Sequence, residues 1–440
     1  MGQSAIRGRI VTMDAAGTVL ADGVAYIADA TIAAVLPADQ APPAGFEHAP
    51  RVRVGGTVYP GLIELHNHLS YNCLQLWQVP RPFGNRGQWS AGPDYRRLIS
   101  GPMQVIGKTP DLVAPLVRYV EAKCLVAGVT TSQGIALYSD AGIRRFYKGV
   151  VRNVEEPDDA ALPAAASRIP DVAAADVTRF AAELERDRRL LLHLAEGTDD
   201  PARRHFLDLQ LPDGSWALSD HLIGIHSVGL HSEDIPILAA HGAGMVWSPL
   251  SNLLLYGGTA RIAEMKAAGV RIGLGSDWSP SGSKNLLGEL KVARLYSANA
   301  AQGPIFTDRE LVAMATSTAA QMLGWDGAIG SLEAGKRADL IAVGGATADP
   351  YSGLIDATER DLVLVMIGGV ACAGQPHLVA PYTQNGEPVT IGGRVRMLNF
   401  DLAGADPDVA LVSLADARSR LEDALANLPE LARALEPQVV

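Results

Sequence analysis

His66 and His68 close the string Tyr59-Pro-Gly-Leu-Ile-Glu-Leu-His-Asn-His68. Leu62, Ile63 and Leu65 read as a short buried strand entered through a Pro-Gly turn. Alternate strand residues face the same way, so His-x-His presents two imidazoles together at the strand's end. Two neutral imidazoles aimed at one point form half of a divalent-metal site. Three other apolar runs end in the same kind of residue: 190–192 leads to His193-Leu-Ala-Glu196, 222–225 to His226, and 270–276 to Asp277. Four strands that each deliver a ligand or an acid–base group at the carboxyl end point to metal-assisted chemistry with a proton carrier beside it.

The elements needed to hold these groups are visible in the pattern around them. From 60 to 330, apolar strands alternate with helical stretches, which argues for parallel β/α units. Strands are expected at 61–66, 129–135, 149–153, 189–194, 221–226, 244–248 and 270–276. Helices are expected at 111–127, 172–188, 259–268, 285–301 and 308–323. Seven strands fall one short of a closed eight-stranded barrel, and the eighth is placed near Ser167-Arg-Ile-Pro-Asp171. In such barrels chemistry sits at the carboxyl ends of the strands, where these His and Asp residues fall. The expected fold class is therefore α/β: a (β/α)8 TIM-type barrel over 60–330. Short strands at both chain ends, 1–59 and 331–400, are expected to join into a small composite β-sandwich domain. Residues 401–440 carry leucines at helical spacing and read as a helical extension packed on the barrel or on a second subunit.

Composition narrows the function classes. A chain of 440 residues with 48% hydrophobic and 19% charged residues can fill a large core and an accessory domain. A net charge of −11 without a basic stripe argues against nucleic-acid binding. Three cysteines (Cys73, Cys124, Cys372) form no disulfide framework and no Cys-x-x-Cys pair, so a reducing, cytoplasmic setting is expected. The amino terminus lacks the apolar core of a secretory signal and the sixth-position Ser or Thr of a myristoylation signal. No run is long and apolar enough to span a membrane. A small molecule is the expected partner, with a homo-oligomer left open.

Taken in order, Pro60-Gly-Leu-Ile-Glu-Leu-His-Asn-His68, Gly128-Val-Thr-Thr131, His193-x-x-Glu196, His226, Ser248-Pro-Leu-Ser-Asn252, Gly275-Ser-Asp277 and Ile329-Gly-Ser-Leu-Glu-Ala-Gly-Lys-Arg-Ala-Asp-Leu-Ile341 resemble the metal-dependent amidohydrolase superfamily. Within it they resemble the branch of triazine hydrolases and cytosine and guanine deaminases. The resemblance implies one divalent ion, zinc first and iron second, held by His66, His68, His193 and Asp277. It implies Glu196 as proton shuttle, His226 as a group that polarises the substrate and steadies the attacking water, and Asp277 as a hydrogen-bond partner of that water. The implied activity is hydrolysis of a non-peptide C–N bond, by deamination or by opening an amide, in a small heterocycle. Two departures stand out. Trp247-Ser-Pro replaces the His-Cys-Pro of many relatives. Lys148 and Glu155, the nearby groups that could bridge a second ion, are out of place, which favours one metal over a two-metal cyclic amidase or imidodipeptidase. A barrel that has lost catalysis and serves as a binding protein is the non-enzyme alternative.

Substrate contacts are expected from three places. The loop at 71–100 holds Tyr71, Trp77, Arg81, Phe83, Arg86, Trp89 and Tyr95 in a chain with 5% aromatic residues. It reads as a lid for a flat, polar substrate that could be anionic, with Trp89 and Arg81 as contacts. Ser279 and Lys284 follow Asp277, and Arg152, Trp247 and Asn252 lie at or beyond other strand ends. His48, His205 and His377 read as surface, and His221, His231 and His241 as neighbours of the His226 strand outside the site.

Overall fold

Eight short parallel strands carry the candidate site in the computed structural model, which describes residues 2–134, 137–138, 144–145, 148–185, 188–402 and 405–435. They are β1 (Leu62–Glu64), β2 (Val129–Ser132), β3 (Arg152–Asn153), β4 (Ala166–Arg168), β5 (Leu190–Leu194), β6 (Leu222–His226), β7 (Gly244–Trp247) and β8 (Ile272–Leu274). β4 overlaps the segment 167–171 where a further strand is expected from the sequence. β1 to β3 form one parallel sheet and β4 to β8 another. Backbone hydrogen bonds continue past both seams. Val154, just past β3, donates to Ser132 of β2, and Ala165 donates to Val154 across the seam between β3 and β4. Asp277 donates to His66 and His68 to Asp277 beyond the ends of β8 and β1. Alternation then sorts the side chains: Ile63, Leu65, Leu191, Ile223, Ile225 and Val246 share one core, while Leu192, Met245 and Trp247 belong to another, with Leu286, Leu290 and Phe306.

The helices follow the expected periodicity but are shorter, at Val113–Val126, Val177–Leu184, Ile262–Ala267 and Leu286–Ala298. The 129–135 strand and the 172–188 helix each reach past the described residues, at 135 and at 186–187. The 308–323 helix divides into Asp308–Met314 and Ser317–Leu323. Its break has a cause: the carbonyl of Ala315 accepts the N–H of Ile63 instead of continuing the helix, so the kink ties the helix layer to β1.

Both chain ends enter one nine-stranded sheet. Its early strands are Gln3–Val11, Val19–Ala28, Thr31–Pro37 and Arg51–Pro60, and its late ones Leu340–Gly344, Leu362–Ile367, Val370–Gly374, Glu387–Ile391 and Arg394–Leu398. Arg51–Pro60 joins the halves by pairing with Leu340–Gly344. Ile6, Ile10 and Ile27 from the early strands share a core with Leu340, Leu364 and Met366 from the late ones. The alternate residues Ile341, Val343 and Val365 pack on the core of the helix layer. Towards the carboxyl end, Leu414–Ala426 lies on the Val113–Val126 helix, burying Leu414 and Leu421, and Arg118 donates to the carbonyls of Val409 and Val412. Residues 403–404 and 436–440 of the expected extension lie outside the described residues. No helix among the described residues is long and apolar enough to cross a membrane.

Candidate metal centre and active site

The strand ends bring His66, His68, His193, His226, Glu196 and Asp277 together. The ring of His66 lies 4.8 Å from that of His193, 5.0 Å from His68 and 5.2 Å from His226, centroid to centroid. Asp277 Oδ1 lies 3.2 Å from His66 Nε2 and 3.7 Å from His68 Nε2. Two overlapping triads, His66–His193–His226 and His66–His68–Asp277, each have their ligand atoms within 4.8 Å of one another. Only a glycine allows this approach, because a Cβ at Gly275 would meet His66 Cβ at 2.5 Å.

The outer nitrogens of three rings face fixed acceptors. His66 Nδ1 meets Gln133 Oε1 at 3.0 Å, and the Gln133 amide is oriented by its own N–H bond to Ser167. His193 Nδ1 faces the carbonyl of Arg168 at 3.3 Å. His226 Nδ1 meets Asn252 Oδ1 at 2.9 Å, with the Asn252 amide set by Thr259. Each acceptor calls for a proton on Nδ1, which leaves a lone pair on Nε2 pointing inward. His66 Nε2 is buried and makes no hydrogen bond. A buried, unpartnered nitrogen costs free energy unless something occupies it, and a cation suits a lone pair. Burial and the neighbouring His66 push the His68 pKa down to about 3, and burial with the surrounding imidazoles drives His193 well below its usual value. Both rings are therefore neutral at pH 7, the form that binds metal. Burial opposes the charge of Asp277, but His66 and its neighbours outweigh that and lower its pKa. Burial of the His66 ring likewise opposes a charge there, but Asp277 in turn raises the pKa of His66 against it. Asp277 thus stays a carboxylate that draws positive charge, a proton or a metal ion, to His66 Nε2. Its Oδ2 also accepts the Ser251 hydroxyl at 2.6 Å.

Glu196 is anchored on both oxygens. Tyr256 donates its hydroxyl to Oε1 at 2.6 Å, and Arg86 Nη1 donates to Oε2 at 3.2 Å. Oε1 lies 3.8 Å from His226 Nε2. Above the cluster, Trp278 packs against His68, Tyr71 and Trp89, and Trp89 packs on Tyr95. Trp89, expected as a substrate contact, thus forms part of the aromatic cover over the cluster.

Several expected contacts are placed elsewhere. Trp247 faces outward, donates to Thr259 and packs on Tyr296 and Phe306, so it does not wall the site. Asn252 orients His226 from behind. Arg152 pairs with Asp339 and Thr131, joining β3 to the late strands. Lys284 is exposed and pairs with Glu359 at 2.6 Å. Ser279 is engaged by Asn72 and Lys123. Arg81 is exposed over the Phe83 ring. Lys148 pairs with Asp158 in solvent, and Glu155 supports Ser167 behind His66. Of the outlying histidines, His205 is partly exposed beside Asp171, and His221 and His241 cap backbone carbonyls. Tyr256, Gln133 and Ser251 were not singled out. Tyr256 lies one helical turn past Asn252, a spacing that could have marked it.

The amidohydrolase family model matches residues 57–372, well over half of the chain. The chain belongs to the amidohydrolase family. It is 37% identical over 165 residues to a 5-methylthioadenosine/S-adenosylhomocysteine deaminase of Symbiobacterium thermophilum, a segment covering 34% of this chain and 37% of that protein. It thus spans little more than a third of that curated relative. A protein of the same name from Nitratidesulfovibrio vulgaris is 27% identical over 409 residues, 82% of this chain and 89% of that protein. Among solved structures, a triazine hydrolase variant superposes with a TM-score of 0.66 at 25% identity, covering 84% of this chain and 95% of that one. An adenosine deaminase from Xanthomonas campestris, solved with bound zinc, shares the fold with a TM-score of 0.66 at 20% identity, over 96% of this chain and 99% of that one.

Proposed function

We propose that this protein is a metal-dependent hydrolase that uses one divalent ion, zinc in the first instance, to cleave the exocyclic C–N bond of a small heterocycle. The observation that carries the reading is the inward set of Nε2 lone pairs, one of them buried and unpartnered, facing an ionised Asp277 with Glu196 alongside. His66, His68, His193 and Asp277 would hold the ion. When bound, it supplies Lewis acidity, which lowers the pKa of a water toward neutrality. The chain's own groups do the rest. Glu196 takes a proton from the attacking water and returns it to the departing nitrogen. His226, protonated on Nδ1, offers its Nε2 lone pair to orient that water; a polarising role toward the substrate would need a second proton on the ring. Trp278 and Tyr95 offer aromatic faces to a flat ring and, with Trp89, keep bulk water out.

The reading includes the architecture. The two parallel sheets, joined by the hydrogen bonds at their seams, form one (β/α)8 barrel over 60–330. Residues 1–59 and 331–400 form the composite β-domain as a sandwich, and 401–440 a helical extension. A reducing, cytoplasmic setting, a small-molecule substrate and no nucleic-acid partner complete it.

The test pairs metal analysis with a substrate panel. Zinc-loaded protein is expected to carry close to one ion per chain. It should release ammonia from at least one of 5-methylthioadenosine, S-adenosylhomocysteine, adenosine, guanine and an amino-s-triazine. Two ions per chain together with turnover of cyclic amides would replace this reading by the two-metal amidase. Full metal loading with no hydrolysis of amines or amides would leave a binding protein.

A further inference from the structure

The shuttle carboxylate is held by a chain of hydrogen bonds that begins in the lid. Tyr256 gives its hydroxyl proton to Glu196 Oε1 at 2.6 Å, and its oxygen accepts the indole N–H of Trp89 at 2.9 Å. All three side chains are buried. Trp89 stands in the loop that follows the His-x-His strand, and that loop is seated by backbone bonds on three sides: Trp77 to Pro280, Phe83 to Leu255, and Thr198 to Gly84. Asn85 adds a side-chain bond to Asp199 at 2.7 Å. Arg86 of the same loop takes the other oxygen of Glu196 and reaches Asp171 with its second arm at 2.5 Å.

Tyr256 is also the last residue of helix Pro249–Tyr256, which ends at left-handed Gly257. Three residues past its start the same helix carries Asn252, which orients His226. One short helix therefore sets both acid–base partners, and the seated lid locks its far end. A carboxylate two methylenes from the backbone has several rotamers, so without these donors Glu196 is free to turn from the reacting atoms.

Resting on the proposed function, we propose that Tyr256 is a positioning residue that aims Glu196 at the reacting nitrogen, and that it is held in that role by Trp89, so the proton carrier is set only when the lid is seated. The phenol O–H is donated to the carboxylate throughout, and no bond to substrate is made by Tyr256 or Trp89.

The experiment compares Tyr256→Phe, Trp89→Phe and the double variant with wild type, all zinc-loaded, by kinetics on whichever panel compound is turned over and by crystal structure. Tyr256→Phe removes one oxygen and keeps the ring. It is expected to lower kcat about 10- to 100-fold, as a misplaced catalytic group does, with KM and zinc content little changed. In its crystal structure the Glu196 carboxylate should leave its single position. Trp89→Phe should have a smaller effect. The double variant should be no slower than Tyr256→Phe alone, because Trp89 acts through the hydroxyl already removed; two independent packing defects would instead multiply. A Glu196 unmoved in Tyr256→Phe overturns the proposal even without a known substrate, and so does an unchanged kcat or a multiplicative double loss. Glu196→Gln separates the two claims. If that variant keeps full turnover, the proposed function fails. If it is inactive while Tyr256→Phe is fully active, only the positioning role fails.

Discussion

The rim of strand ends and the nine-stranded sheet are both buried β-structure, but their turns are made of different residues. The sheet turns its chain largely through glycines with positive φ, such as Gly345, Gly368, Gly369, Gly392 and Gly393. At the rim, side-chain-bearing residues take that conformation: Ala195, His226, Ser227 and Asp277, with φ between 47° and 68°. Asp29 and Met13 beside the sheet also do so, and Asp is among the residues that tolerate it. Burial shows the same contrast. The core shared by the early and late strands is built from Ile, Val, Leu, Ala and Met, with isolated buried polar groups such as Thr57 and Arg396 in its strands, whereas the rim gathers His66, His193, Glu196, His226, Ser227 and Asp277 in one buried cluster. The sheet spends its sequence on an easy fold. The rim accepts a strained backbone and desolvated polar groups to converge its side chains, a pattern associated with functional sites.

The sharpest way to break this contrast is to remove single rim groups and measure the ion and the rate separately. His193→Ala and Asp277→Asn should lose the bound metal, measured by elemental analysis, and with it all turnover. Chelation of wild-type protein should do the same and be reversed by zinc. Next in size, Glu196→Gln should keep its metal and lose roughly 10²–10⁴-fold in kcat, the usual contribution of general acid–base catalysis. If Glu196→Gln loses the ion, the carboxylate is a ligand and the division of labour at the rim is different.

How much of this was legible in the sequence follows from how each residue acts. His66, His68, His193 and Asp277 act at the end of their own strands, so a two-residue period and an apolar run were enough to find them. Trp247 was misread although the signal existed. It shares a parity with Met245, and both pack in the core with the helices while Val246 faces the opposite core with Ile63 and Ile225. Arg152 carried no local signal, because its partner Asp339 lies 187 residues away. Tyr256, Arg86 and Gln133 act on another residue's side chain from a different element, and only the packed fold brings them there. Joining the two ends rested on the early segment having no room for a full core of its own; in the fold Ile6, Ile10 and Ile27 share a core with Leu340, Leu364 and Met366. The hairpin at 387–398 went unnoticed because its strands are half exposed and polar.

On the sheet side of the comparison, Gly369→Ala should be costly. The position has φ 76°, and an added Cβ would lie 1.9 Å from the Asp29 carbonyl oxygen. A left-handed residue with a side chain costs about 1–2 kcal/mol before any clash, so a loss of ~2–4 kcal/mol is expected in denaturant unfolding. Turnover per folded molecule should be unchanged, because the Gly369 turn lies between late strands and touches none of the ligands.

The smallest expected effect is the mirror experiment at the rim, Ala195→Gly. Ala195 has φ 47° and no exposed surface. Glycine relieves about 1–2 kcal/mol of left-handed strain. Against this stand the loss of a buried methyl, about 0.8 kcal/mol, and the greater freedom of glycine in the unfolded chain, roughly 0.5–1 kcal/mol. The terms nearly cancel, so stability should move by less than ~1 kcal/mol, in contrast to the sheet glycine. Activity should not cancel. Ala195 sits between the ligand strand and Glu196, and its carbonyl accepts the N–H of Gly229 at 2.9 Å, so the turn fixes where Glu196 begins. A freer backbone there should lower kcat while zinc content holds. Should Ala195→Gly instead destabilise by more than about 2 kcal/mol, the left-handed turn at the rim carries no strain, and the contrast with the glycine turns of the sheet fails with it.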